Sequence, residues 1–371
     1  MIIKKIETFC DGENIKGIGF VKITTEDGKF GWGQMSPYNA DISSLVLHRQ
    51  VAPFCVGKEI PEIKFVEDFV NLIFEKQHKF PGSYMCRAMG GVDTAILDYW
   101  GRWLEKPVCS LFGAEPKKIM VYGSSMKRDI TPKDEVLRFK RLRDSCGFKA
   151  FKYRVGSEVG RDKDEWDGRT EEIIDLMGNS FSGVVKLLAD GNSCFSEKKA
   201  IAVGNRLFDN GTCHFEEPCP YWEHDVIKAV KESLEIDIAG GEQDNNITIW
   251  NYLIRNGVVD IVQPDILYIG GFLRARRVAK MAKENGLPCT PHAANLSLVT
   301  IFTQHFLACI DNPGPYLEYS IEGEDYYPWQ FGVFKNFPKV YDGFLEINPE
   351  PGWGIEINEK WLAHSIYQIS Q

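Results

Sequence analysis

"VVKLLAD" at residues 184–190, "CHFEEP" at 213–218 and "IDIAGGE" at 236–242 share one layout: a short, largely apolar run that leads into acidic residues. Runs of this length, with helical spacing between them, read as buried strands alternating with helices. The same layout extends outward to "IMVYGSS" (119–125), "AFKYR" (150–154), "DIVQPD" (260–265), "PCTPH" (288–292) and "PYLE" (315–318). The eight candidate strands recur at intervals of roughly 30 residues, the length of a parallel βαβ unit. Eight such units predict a TIM-type barrel. An open doubly wound sheet is the alternative, but no glycine-rich phosphate loop follows the first strand.

The flanks are different. Residues 1–36 alternate as strands, with "EDGKFG" as a hairpin turn, and residues 40–113 read as helices. "AMGGVDTAILDYWGRWLEK" is helical and stops before Pro107. The N-terminal part is therefore α+β. The last stretch, "DGFLEINPEPGWGIEINEKWL", is turn-rich and is expected to return to the N-terminal part.

Composition excludes several functions. The 371 residues carry a net charge of −9, which disfavours nucleic acid and anionic membranes as partners. No run of 18 apolar residues exists. The start, "MIIKKIETFCDG", reads as a strand and not a signal peptide. Ten cysteines without a C-x-x-C pair suit a reducing compartment, so a cytoplasmic protein with free thiols is expected. No activating motif surrounds any of them.

In a barrel, chemistry sits at the C-terminal ends of the strands. Those ends carry Lys152 and Arg154, then Asp190, Glu216, Glu242, Asp265, His292 and Glu318. Asp190, Glu216 and Glu242 are 26 residues apart, on three consecutive strands. Three carboxylates converging on one point need a cation, and hard oxygen ligands call for Mg²⁺. Asp265 beside His292 predicts a dyad in which the carboxylate fixes the imidazole tautomer and raises its basicity. Asn192 shares a face with Asp190 and is a candidate substrate ligand.

Together, "GGVDTAILDYWGR", "DGN" (190–192), "FEEP" (215–218), "GGE" (240–242), "QPDILYIGG" (263–271), "PHAA" (291–294) and "PGWGIEI" resemble the enolase superfamily, mandelate racemase subgroup, in order and spacing. The resemblance covers nearly the whole chain. It implies an α/β fold: an α+β capping domain over 1–115, joined by the segment from about 336 to 371, and a modified TIM barrel, (β/α)₇β, over 116–335. It implies Asp190, Glu216 and Glu242 as Mg²⁺ ligands and His292 with Asp265 as the general base. Glu318 would bond the substrate carboxylate. The loop "SPYNAD" (36–41) falls where the family covers its substrate, so Tyr38 and Asn39 are candidate substrate contacts. His48 and Arg49 are expected to be solvated, the alternative being that Arg49 reaches a second carboxylate. "GRDKDEWDGR" (160–169) reads as a solvated extension that could border the site.

The family's chemistry removes the proton α to a carboxylate, and its second barrel strand usually carries Lys-x-Lys, the second lysine being a base opposite the histidine. Here the motif is Lys152-Tyr153-Arg154. A guanidinium stays protonated and is a poor base, though a good fixed cation. Loss of one base disfavours racemisation and points to elimination. The expectation is a Mg²⁺-dependent dehydratase of an acid sugar, aldonate or aldarate, giving a 2-keto-3-deoxy acid. The alternatives are a racemase or epimerase of a 2-hydroxy acid and a non-catalytic scaffold. The partner is a small carboxylate, and a homo-oligomer is expected.

Overall fold

The computed structural model describes residues 1–12, 16–330 and 332–371. The N-terminal part opens with three antiparallel strands, β1 (Ile3–Cys10), β2 (Gly19–Thr25) and β3 (Phe30–Met35). Helices α1 (Ala40–Val46), α2 (Ala52–Cys55), α3 (Val66–Lys76) and α4 (Ser83–Trp103) follow. The barrel then alternates: β4 (Lys118–Ser124), α5 (Pro132–Cys146), β5 (Ala150–Arg154), α6 (Arg169–Phe181), β6 (Lys186–Asp190), α7 (Glu197–Asp209), β7 (Thr212–Glu216), α8 (His224–Glu232), β8 (Asp237–Gly240), α9 (Ile247–Arg255) and β9 (Ile261–Val262). It ends with α10 (Phe272–Glu284), α11 (Leu298–Cys309) and β10 (Leu317–Ser320). Strands β4 to β10 are joined side by side in parallel, β10 closing back on β4. This is the TIM-type barrel expected from the strand spacing, in the (β/α)₇β form that the family resemblance implied.

One expected strand shrinks to almost nothing. "PCTPH" contributes only Cys289, which bridges Val262 on one side and Pro313 on the other. Prolines at 288 and 291 flank it and cannot donate to a ladder, so pairing cannot extend. The C-terminal segment divides between the two domains. β11 (Phe344–Glu346) pairs antiparallel with barrel strand β4, whereas β12 (Ile366–Ser370), beyond the short helix α12 (Glu359–Leu362), pairs with β1.

Alternation along β5 sorts its side chains. Phe151 stacks on Phe139 of α5 with ring centroids 4.3 Å apart, so this face packs outward on the helices. Lys152 and Arg154 therefore point into the barrel. Beneath them Ala150, Tyr122 and Leu188 form a small apolar cluster, and Lys152 Nζ sits 5.4 Å from the Tyr122 ring.

Helix α4 binds the parts together. The Asp93 carboxylate accepts the Phe272 backbone N–H at 2.7 Å, capping α10. A Cβ on Gly271, at φ +128°, would lie 2.5 Å from Asp93 Cγ, so this approach requires glycine. Asp98 accepts the N–H groups of Trp32 at 2.8 Å and Trp353 at 2.9 Å, tying β3 and the "PGWG" turn to the same helix. On the other side of the cap, His48 is half-buried and bonds Thr8 at 2.9 Å and Ser370 at 2.7 Å, contrary to the solvated position expected for it. No helix among the described residues is long and apolar enough to cross a membrane.

The α4–β3 contact is backbone against backbone. A Cβ on Gly33 would lie 2.2 Å from Gly91 O and 2.6 Å from Ala95 N. Gly33→Ala is expected to destabilise the cap by about 1–3 kcal/mol or more, the cost of overpacking a rigid contact. Denaturant unfolding checks this; an unchanged midpoint would refute the contact.

Candidate active site

Register places the charged side chains. Arg154 pairs with Asp190 and Asp190 with Glu216 across β5, β6 and β7, so three charges stand in one row at the strand ends. Lys152 is one layer lower and fully buried. Its Nζ lies 2.7 Å and 2.8 Å from the two Glu216 oxygens, 2.8 Å from Glu318 and 3.6 Å from Asp190. Burial alone would lower its pKa, but the carboxylates outweigh that and hold it well above the ordinary lysine value.

Arg154 is equally engaged. Its Nε donates to Ser125 O at 2.8 Å, and its Nη1 donates to Asp190 and, at 2.8 Å, to Asn192 Oδ1. Burial lowers its pKa and Asp190, Glu216 and Glu318 raise it, with a net rise. Neither cation of β5 has an ammonium or guanidinium able to shed a proton near neutral pH.

The acids outnumber these cations. Burial and the neighbouring carboxylates Glu242, Asp190 and Glu216 hold the Glu217 carboxyl well above the usual range, and its Oε1 has no hydrogen-bond partner. Burial pushes Glu242 up to about 7, with Glu216 and Asp190 adding to it and His292 opposing. An orphaned buried oxygen and a surplus of carboxylates are what a hard cation would satisfy. The three predicted ligands do not yet converge, however. Asp190 is paired with Arg154, Glu216 with Lys152, and Glu242 Oε2 lies 3.4 Å from His292 Nε2. Among the described residues no three His, Cys, Asp or Glu side chains already stand as a metal site. The carboxylates would have to exchange resident cations for the ion.

Asp265 and His292 meet as expected, although both lie in loops beyond the strand ends. His292 Nδ1 and Asp265 Oδ2 are 2.7 Å apart. The other Asp265 oxygen accepts the N–H groups of Leu267 at 2.7 Å and Tyr268 at 2.9 Å, which fixes the carboxylate. Burial lowers the His292 pKa, but Glu242, Asp265 and Glu318 raise it to about 10.

A cavity of about 250 Å³ opens above this row. Arg154, Asn192, Glu242, His292 and Tyr38 line it. Tyr38 adopts a left-handed backbone, φ 71°, and its hydroxyl lies 3.4 Å from that of Tyr327. Arg87 fixes this loop by donating to Ser36 and to Pro37 O while its guanidinium lies 4.0 Å over the Tyr268 ring. Two expected substrate contacts fall elsewhere. Asn39 turns to the Tyr84 hydroxyl at 3.1 Å and does not line the cavity. Glu318 is fully buried, with Ser124 and Lys152 on one oxygen and Ala293 N on the other. It acts on Lys152 and does not face the cavity.

Sequence reasoning missed Arg128, Glu158, Tyr268, Tyr326 and Tyr327, which also line the cavity. Gln263 was missed too; its Nε2 donates to Glu216 at 2.7 Å. Arg128 and Gln263 had a signal, since both follow strand ends.

Two family models match this chain: the mandelate racemase / muconate lactonizing enzyme N-terminal domain over residues 14–113, and the enolase C-terminal domain-like family over 135–361. The arabinonate dehydratase of Saccharolobus solfataricus is 26% identical over 351 residues, 91% of this chain and 87% of its own. A solved structure from Roseobacter denitrificans, described as a candidate racemase, is 55% identical with a TM-score of 0.96 and full coverage of both chains. A mandelate racemase/muconate lactonizing protein from Paracoccus denitrificans Pd1222, solved with magnesium, is 25% identical with a TM-score of 0.88, covering 100% of this chain and 99% of its own.

Removing Lys152 leaves Glu216 and Glu318 buried without their shared cation. Lys152→Met is expected to cost about 3–5 kcal/mol of stability, the loss seen when one partner of a buried ion pair is deleted. Chemical denaturation of the two chains measures it, and equal stabilities would show that the cluster carries no such strain.

Proposed function

Since the chain belongs to the enolase superfamily, in its mandelate racemase / muconate lactonizing enzyme branch, we propose that it is a Mg²⁺-dependent acid-sugar dehydratase. One observation carries the choice of reaction: the second cation of β5 is Arg154, a guanidinium that stays charged and is held by Ser125 O, Asp190 and Asn192, which leaves the His292–Asp265 pair as the base beside the cavity.

Asp190, Glu216 and Glu242 would hold the ion. When bound, it supplies positive charge to the oxygens on which negative charge develops, and it offsets the Glu242 carboxylate that favours protonated His292. His292 then takes the proton from the carbon α to the substrate carboxylate through Nε2. Asp265 holds Nδ1 and stabilises the imidazolium. Arg154 stays charged throughout and anchors Asp190 and Asn192. As the Cβ–O bond breaks, the imidazolium returns its proton to the departing hydroxyl, so water leaves and His292 is neutral again. The enol that remains tautomerises to the 2-keto-3-deoxy acid. The tyrosines over the cavity restrict solvent during these steps.

A racemase or epimerase is the second reading, favoured by the description of the Roseobacter relative. It needs a base on the face opposite His292, and Lys152, buried among three carboxylates, is held protonated.

A panel of acid sugars with Mg²⁺, assayed for 2-keto-3-deoxy products, tests the reaction. His292→Asn is expected to lower turnover roughly 10²–10⁴-fold, the usual contribution of a general base. Inversion at the α-carbon without loss of water would replace the dehydratase reading by the racemase one. Mg²⁺ is expected to raise the melting temperature, worth about 2.7 kcal/mol at a hundredfold excess over its Kd. No shift would remove the ion from the proposal.

A further inference from the structure

The cavity contains a guanidinium, that of Arg128, which is not closed into an ion pair. Arg128 follows β4, and its Nε donates to Gly156 O at 3.0 Å while its Nη2 donates to Asn192 Oδ1 at 2.8 Å. The same Asn192 oxygen accepts from Arg154 Nη1, so one amide bridges two guanidiniums. Arg154 is balanced by Asp190, and Lys127, next in the chain, by Asp325. Among the described residues, Arg128 has no carboxylate within ion-pair distance, and its Nη1 has no hydrogen-bond partner. Glu158, which also lines the cavity, is exposed and does not close on it. A guanidinium held by two bonds, beside a second guanidinium, in a cavity shared with His292, is prepared for an anion.

We propose that Arg128 is a specificity-determining residue that receives the distal carboxylate of a diacid, so that the substrates are aldarates and not aldonates. This rests on the reading that the site acts α to a first carboxylate near His292. The planar fork of Arg128 suits a carboxylate, whereas the terminal hydroxymethyl of an aldonate would leave its charge uncompensated. Discrimination then comes from the unpaired cation as much as from the bond gained.

Matched pairs test this: galactarate with galactonate, glucarate with gluconate, and mannarate with mannonate, titrated calorimetrically with Mg²⁺ into the full-length His292→Asn chain, where binding is read without turnover. At least one diacid is expected to bind more tightly than its monoacid. Adding Arg128→Gln should weaken that diacid about tenfold or more, as for a lost charge-assisted contact, and leave the monoacid unchanged. Arg128→Lys should recover part of the loss, and melting curves show that each variant is folded. Equal weakening of both acids would place Arg128 on the reacting carboxylate and overturn the proposal. A monoacid bound as tightly as its diacid, or no diacid binding at millimolar concentration, would overturn it too. Water loss is followed separately in the unsubstituted chain. A diacid held through Arg128 but released without loss of water would overturn the dehydratase reading and leave this role of Arg128 standing.

Discussion

Lys152 among Glu216, Glu318 and Asp190 is the interaction on which the site depends. An ammonium inside a barrel is costly unless carboxylates surround it, and those carboxylates are costly without the ammonium. The members come from β5, β6, β7 and β10, so the cluster ties together strands on both sides of β4. Burial favours the neutral acid of Glu318, yet Lys152 and His292 hold it down at about 2. Above this closed cluster the balance reverses. Burial and the neighbouring carboxylates raise the pKa values of Glu242, to about 7, and of Glu217. Above the saturated lower layer, the surplus carboxylates beside His292 give one side of the barrel mouth a place for positive charge, while Arg154 and Arg128 stand on the other side.

The cap serves that mouth through few contacts. Gln34 donates to Ser297 Oγ at 2.8 Å and accepts the Leu298 N–H at 2.8 Å, joining β3 to the start of α11. Asp93 does the same for α10. Both are polar side chains buried at a helix start, so displacing the cap would leave backbone N–H groups unpaired in two barrel helices. The loop carrying Tyr38 is consequently attached to a rigid frame, with Arg87 as its local clamp.

How much of this was legible follows from what each residue needs. Strand spacing and the acidic strand ends depend on local sequence, and the barrel and the row Arg154–Asp190–Glu216 follow from them. The His292–Asp265 pair was legible because both follow matching strands. What escaped depends on distance across the fold. Glu318 was expected to end its strand, but β10 runs from Leu317 to Ser320, so Glu318 lies inside it beside Tyr122, with Lys152, Ser124 and Ala293 closing over its oxygens. Asn39 and Tyr38 are adjacent and both left-handed, yet their side chains part, one to Tyr84 and one to Tyr327. Nothing in "SPYNAD" says which goes where. The reduction of the seventh strand to Cys289 had a visible cause in its two prolines.

Arginine at position 154 makes physical sense once its bonds are counted together. Its guanidinium meets Ser125 O behind β4, Asp190 at the end of β6 and Asn192 beyond it, with Met126 Sδ on the remaining nitrogen. A lysine ammonium at the end of a flexible stem is a single point of charge and cannot span these partners in one plane. The fork therefore fixes the strand-end loops from which Asn192 and Arg128 reach the cavity. The same bonds that make the loop rigid raise the guanidinium's affinity for its proton, so Arg154 stays protonated and cannot accept a proton from a substrate. The two sides of the cavity therefore differ: the His292–Asp265 pair stands on one and the fixed charge of Arg154 on the other, the asymmetry on which the proposed elimination rests, since there one group removes and returns the proton on a single face.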